Sequence, residues 1–213
     1  MTKKRVFFDL DGTLTDSGEG IMNCAAVALE HFGLPVPPRK AMRVFVGPPL
    51  KDSFRKHGVP EDLLDEAVSV YRSRYIPVGK YENYPYPGIT ALLARLKADG
   101  YRLFVATSKP EQMAVDILEH FGLANFFEKI CGAIADGSRD TKAAVIAYLL
   151  DSIGGAENAV MVGDTVFDVI GAAAHGIPTI GVSWGYGETA DMETAGAIAI
   201  AHTMDELYEL LTK

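Results

Sequence analysis

Asp9 and Asp11 stand two residues apart at the end of the apolar run Val6–Phe8, within the stretch VFFDLDGTLTDS that also holds Asp16. Like charges this close raise each other's pKa and destabilise a fold unless a cation or a ligand lies between them. On an extended segment a D-x-D spacing points both carboxylates the same way, which places Asp9 and Asp11 on one side of a site. Hard cations such as Mg²⁺ take oxygen ligands and suit one or two carboxylates plus a substrate phosphate. A carboxylate can also attack phosphorus and form an aspartyl-phosphate. A second acid beside it can protonate the leaving oxygen and then activate water. Gly12 lets the backbone turn so that its amides approach an anion. A calcium loop is excluded, because it needs glycine sixth and glutamate twelfth, whereas Gly12 is fourth and position twelve is Gly20. A solvated Asp- and Gly-rich turn remains the alternative.

Further candidates lie far along the chain. GDTVFD puts Asp164 at a strand tip and Asp168 one helical turn later, where Asp164 could equally be a helix N-cap. Thr107 offers a hydroxyl to phosphate, or a cap to a helix beginning at Pro110, and Ser108 and Lys109 follow it. Lys142 falls in the first turn of a helix, where a lysine opposes the helix dipole and an anionic partner would favour it. Asp16, with Glu19 three residues on, reads as a capping box. The five histidines show no ligand spacing.

These residues need elements that bring them together. Val6–Phe8, Arg102–Ala106, Lys129–Ala135, Ala159–Gly163 and Pro178–Val182 read as strands. Between them, Ile89, Leu92, Leu93 and Leu96, and again Ala114, Ile117, Leu118 and Phe121, follow the spacing of amphipathic helices, with Gly122 placed to end the second. Residues 141–150 and 166–175 also read as helices. Strands alternating with helices define an α/β protein with a doubly wound parallel sheet. In such sheets, ligands bind beyond the carboxyl ends of the strands, where Asp9, Thr107, Asp164 and the loop DGSRD before Lys142 would meet. From Asp16 to Asn83 the strand signal fades and helices at 17–32, 49–57 and 61–75 dominate. The expected organisation is a core of residues 1–15 and 84–213, with a small helical cap at 16–83 closing over the carboxyl end of the first strand.

Composition limits the partners. Hydrophobic residues make up 48% and charged ones 23%, which suits a globular protein. Twenty basic against 28 acidic residues give a net charge of −8, which argues against a nucleic-acid polymer or an acidic membrane surface. No apolar stretch approaches the ~20 residues of a membrane span, and the N-terminal apolar run is too short for a signal peptide. Cys24 and Cys131 read as reduced core thiols of a cytoplasmic protein. Nothing in the pattern specifies an oligomeric state.

The set DLDGT, ATS, Lys142 and GDTVFD resembles the four motifs of the haloacid dehalogenase-like superfamily, over essentially the whole chain. DLDGTLTDS, VGPPLKDSF and ATSKP look most like its phosphoglycolate-phosphatase and 5′-nucleotidase branch. The resemblance implies that Asp9 is nucleophile and Mg²⁺ ligand. It makes Asp11 the general acid/base, giving its backbone carbonyl to the metal, and Asp164 the other metal carboxylate. Thr107 and Lys142 would hold phosphoryl oxygens, and Asp168 would orient the metal shell or Lys142. Gly12, Ser108 and Lys109 would bind substrate. Many relatives carry the third-motif lysine as Lys-Pro; here it lies in GSRDTKAAV, which leaves Arg139 as a second candidate for that role. The expected activity is Mg²⁺-dependent hydrolysis of a small-molecule phosphomonoester. Nucleoside 5′-monophosphates come first, with phosphoglycolate and sugar phosphomutation as alternatives. Tyr81, Tyr84 and Tyr86 could stack on a base or pack as a hinge. A dehalogenase would need neither Asp11 nor GDTVFD, and a non-catalytic protein would be expected to have lost these acids.

Overall fold

The computed structural model describes residues 4–134 and 138–213. Ala135, Asp136 and Gly137, expected at the end of the third strand and in the loop after it, lie outside these residues. The chain divides into two units, Met1–Thr15 with Pro85–Lys213, and Asp16–Tyr84.

In chain order, β1 (Arg5–Phe8) leads through the short β2 (Thr15–Asp16) to α1 (Gly18–His31), α2 (Arg39–Met42), α3 (Leu50–Lys56) and α4 (Leu64–Tyr75), and the chain returns at β3 (Tyr84–Pro85). Then follow α5 (Ile89–Ala98), β4 (Arg102–Pro110), α6 (Glu111–His120), β5 (Lys129–Ala133), α7 (Lys142–Ile153) and β6 (Ala159–Gly163). The chain finishes with α8 (Val166–Ala173), β7 (Thr179–Val182), α9 (Thr189–Thr194), β8 (Ala199–Ala201) and α10 (Met204–Thr212).

The larger unit is a six-stranded parallel sheet in the order β5-β4-β1-β6-β7-β8. Strand β1 shows how it becomes doubly wound. Val6 and Phe8 join a buried cluster with Leu93 of α5, Ile117 of α6 and Leu207 of α10. Phe7, between them, joins a second cluster with Ile146 of α7 and Ala172 of α8. Successive strand residues face opposite sides, so a strand covered on both faces must be apolar throughout. The order reverses at β1, with β4 on one side and β6 on the other. That is the topological switch point at which such sheets bind ligands.

The helical unit carries its own aromatic core. Phe45 meets Phe54 edge-on at 5.3 Å, Phe54 meets Tyr71 at 6.4 Å, and Tyr71 stacks on Tyr75 at 5.1 Å. Arg74 of α4 forks onto Glu82, with both N–O distances 2.7 Å. Among the described residues, no helix is long and apolar enough to cross a membrane.

Several local expectations are corrected. The second strand does not stop at Ala106. It runs to Pro110, with a register shift after Ala106, so Thr107, Ser108 and Lys109 belong to β4 rather than to a loop. Strand β1 ends at Phe8, and Asp9 and Asp11 lie in the turn beyond it. Asp16 is not the helix cap. Ser17 occupies that position, and an oxygen of Asp16 accepts from the Gly18 N–H instead. Pro110 precedes α6 and Thr165 precedes α8, so neither Thr107 nor Asp164 is an N-cap. The expected helix at 61–75 is a 3₁₀ turn at Glu61–Leu63 followed by α4.

Candidate active site

The site residues sit in three buried clusters at the carboxyl ends of β1, β4 and β6. Lys142, the first residue of α7, has its ammonium 2.7 Å from Asp9 Oδ1, 2.7 Å from Asp168 Oδ1 and 3.0 Å from the carbonyl of Ala106. The ammonium donates a hydrogen bond to the Ala106 carbonyl, and the two carboxylates are its ion-pair partners. Asp168 Oδ2 accepts from both the N–H and the hydroxyl of Thr165, which ties the first turn of α8 to the same carboxylate.

Asp164 forms the second cluster. Its Oδ1 accepts from the Thr13 hydroxyl at 3.0 Å and its Oδ2 from the Tyr186 N–H at 2.9 Å. Glycines pack against it. A Cβ on Gly12 would come 2.1 Å from Asp164 Oδ2, and one on Gly185 would come 2.3 Å from the same atom. Gly12 also has φ +85°, a conformation that suits glycine. Its N–H donates to the carbonyl of Thr15. Gly12 therefore shapes the turn and leaves Asp164 room.

Asp11 forms the third. Its two oxygens lie 2.9 and 2.6 Å from Lys109 Nζ. The two acids of the D-x-D pair thus meet two different lysines, Asp9 with Lys142 and Asp11 with Lys109. Thr107 is buried and its Oγ1 accepts from the Lys109 N–H, while Ser108 between them is exposed. Arg139 does not join these clusters. Its guanidinium pairs with Glu111 at 2.8 Å and lies over the Tyr148 ring. Of the two candidates, Lys142 and not Arg139 is the one in contact with Asp9 and Asp168.

Burial sets the electrostatics. It pushes the Asp9 carboxyl up to about 6, opposed by Lys142 and reinforced by Asp168. Asp164 is raised well above the usual carboxylate range, first by burial and then by Asp168 and Asp9. Burial alone would lower the Lys142 ammonium, but Asp168 and Asp9 outweigh it and hold it above its ordinary value. Asp9, Asp164 and Asp168 bring carboxylate oxygens within 4.8 Å of one another. Lys142 pairs with two of these three buried carboxylates, so acids outnumber the cation here. The donors are all oxygen, and a hard divalent cation fits them.

The sequence reading missed Thr13, Gly185 and Tyr186. Thr13 follows Gly12 directly, and its place in the DGT run was the available signal. The Gly185–Tyr186 contribution comes from a loop after β7 and is made by a side-chain-free residue and a backbone N–H, which leave no side-chain signature in the sequence. Tyr86 packs against the larger unit's core and meets Trp184 edge-on at 6.4 Å, while Tyr84 is exposed.

Residues 6–182 match the family model described as haloacid dehalogenase-like hydrolase. The chain belongs to this family. The tyrosine-protein kinase PtkA of Mycobacterium tuberculosis is 46% identical over 97% of this chain and 72% of its own length. Its solved structure has a TM-score of 0.89, covering 100% of this chain and 99% of that one, at 45% identity. A 5′-nucleotidase of Pseudomonas aeruginosa is 42% identical over 85% of this chain and 83% of its own. A phosphoglycolate phosphatase of Caulobacter vibrioides is 32% identical over 93% and 86%.

Proposed function

We propose that this chain is a Mg²⁺-dependent phosphatase that hydrolyses small-molecule phosphomonoesters through a phosphoaspartate at Asp9. The observation that carries the reading is the buried Asp9, tied through Oδ1 to Lys142 and set close to Asp164 and Asp168 at a sheet switch point. Asp9 Oδ2, the oxygen that Lys142 does not hold, attacks phosphorus, and Asp11 gives a proton to the departing oxygen. Water then attacks the phosphoaspartate, with Asp11 as base. Thr107 accepts from Lys109 through its oxygen, so its hydroxyl proton is the part that reaches a phosphoryl oxygen. Lys142 steadies Asp9 and the phosphoryl group, and exposed Ser108 serves the substrate side. Asp9, Asp164 and the backbone carbonyl of Asp11 would hold Mg²⁺, which neutralises the phosphoryl charge when bound. Asp168 fixes Lys142.

Nucleoside 5′-monophosphates are the first choice of substrate and phosphoglycolate the runner-up. The net charge of −8 disfavours polymers. A panel of phosphomonoesters, assayed with Mg²⁺ and with excess chelator, tests the reading. Mg²⁺-dependent phosphate release from nucleoside monophosphates, above an aryl phosphate, supports it. Preference for phosphoglycolate moves the substrate to the runner-up, and isomer formation without free phosphate points to a mutase. Full activity in chelator, with metal content checked, removes the metal from the mechanism. The 46% identity to a tyrosine-protein kinase favours one second reading, phosphoryl transfer to a protein tyrosine. Incubation with ATP and detection of phosphotyrosine tests it.

A further inference from the structure

Lys109 is a buried cation beside Asp11 that this mechanism leaves without a step. Its ammonium meets both oxygens of Asp11, at 2.6 and 2.9 Å, and its side chain is 5% exposed. The backbone beneath it is fixed. Its N–H donates to Thr107 Oγ1, and its carbonyl packs so closely on β5 that a Cβ at Gly132 would come within 2.5 Å of it. Asp11 lies in the turn between β1 and β2, where an isolated bridge to Thr15 fixes its backbone but does not set where its carboxylate points. The ion pair therefore joins a loop carboxylate to a rigid strand. An exposed pair would hold little, but this one is largely shielded from water.

We propose that Lys109 is a positioning residue for Asp11. It holds that carboxylate in the orientation from which it takes a proton from the water that hydrolyses phospho-Asp9. The proposal rests on the phosphoaspartate reading above. In that step the water oxygen bonds to phosphorus and the bond between phosphorus and Asp9 breaks, its electron pair returning to the Asp9 carboxylate. The water proton passes to Asp11 and inorganic phosphate leaves. Each carboxylate oxygen has two lone pairs, so Lys109 can hold both oxygens while one still accepts from water. The competing role for Lys109 is direct contact with substrate phosphate. The two roles differ in which kinetic constant they move.

The test is rapid-mixing kinetics of the full chain with Mg²⁺ and 4-nitrophenyl phosphate, for wild type, Lys109→Met and Lys109→Arg. 4-Nitrophenolate departs without needing a proton, so transfer to Asp9 proceeds without Asp11, whereas hydrolysis of the intermediate requires it. Lys109→Met is expected to release one equivalent of nitrophenolate per chain in a burst and then to turn over on the order of 10²-fold more slowly. Its kcat and KM fall together, and kcat/KM, which reports transfer to Asp9 alone, stays within about twofold of wild type. Lys109→Arg recovers most of kcat. In Asp11→Asn protein, adding Lys109→Met costs nothing further, because both changes remove one function. A raised KM, a loss of kcat/KM without a burst, or additive losses in the double variant would overturn the proposal. If Lys109→Met does not fold, Lys109→Gln carries the test through the same burst and the same coupled fall. Failure of the underlying mechanism shows separately, as Asp9→Asn protein that still releases nitrophenolate.

Discussion

At the scale of single residues, the site is a set of buried charges that depend on one another. Asp9→Asn keeps the size of the side chain but replaces the proposed nucleophile with an amide. Folded Asp9→Asn protein is expected to lose at least ~10³-fold in kcat, about 4 kcal/mol of barrier, measured by steady-state phosphate release. Lys142→Met tests the charge balance. Lys142 meets Asp9 and Asp168 at 2.7 Å each, and breaking a buried pair by removing one partner costs about 3–5 kcal/mol. Asp9, already raised by burial, can answer by taking up a proton. Denaturant unfolding of the metal-free variant should therefore show a larger loss at neutral pH than near pH 5, and an equal loss at both would refute that account. Asp9, Asp11, Asp164 and Asp168 were legible in the sequence because acids at such spacing after apolar runs have few structural uses. The pairing of Asp11 with Lys109 was not, since 98 residues separate them and no local pattern links them.

Elements decide where those residues point. Alternation in β1 sends Phe7 to the α7 and α8 layer, and in the turn beyond it Asp9 meets Lys142 at the start of α7. The sheet and its helices were readable because β1, β4 and β6 are apolar runs buried on both faces. The true length of β4 was hidden, because Thr107, Ser108 and Lys109 near its carboxyl end are polar. Strand β8, three residues long, and α9 and α10 were missed, since so short a strand carries too little pattern to register. The start of α8 can be tested directly. A Cβ on Gly163 would come 2.3 Å from Asp168 Cγ, so Gly163→Ala must push Asp168 away from Thr165 and Lys142. Overpacking of this kind costs typically about 1–3 kcal/mol. Thermal unfolding should show that loss, together with weaker Mg²⁺ binding by titration; an unchanged Tm would mean that the first turn of α8 is free to shift.

For the molecule as a whole, the raised acids couple stability to pH and metal. Asp9 is pushed up to about 6 from 3.8. Between those values the folded state binds more protons than the unfolded one, so this group's contribution makes the metal-free protein less stable as pH rises through that window. A cation favours the ionised carboxylates and offsets the loss. The Tm increase on adding Mg²⁺ should accordingly be larger at about pH 7.5 than at about pH 5, and an increase independent of pH would contradict the linkage. The central claim is that phosphate passes through Asp9, and the most direct measurement is the mass of the enzyme caught in turnover. Asp11→Asn protein, mixed with 4-nitrophenyl phosphate and Mg²⁺ and quenched in acid, should carry one phosphoryl group, mapped by peptide mass to Asp9 and lost on mild alkaline treatment. The same label on another residue, or its persistence when Asp9 is also replaced by Asn, would contradict the account.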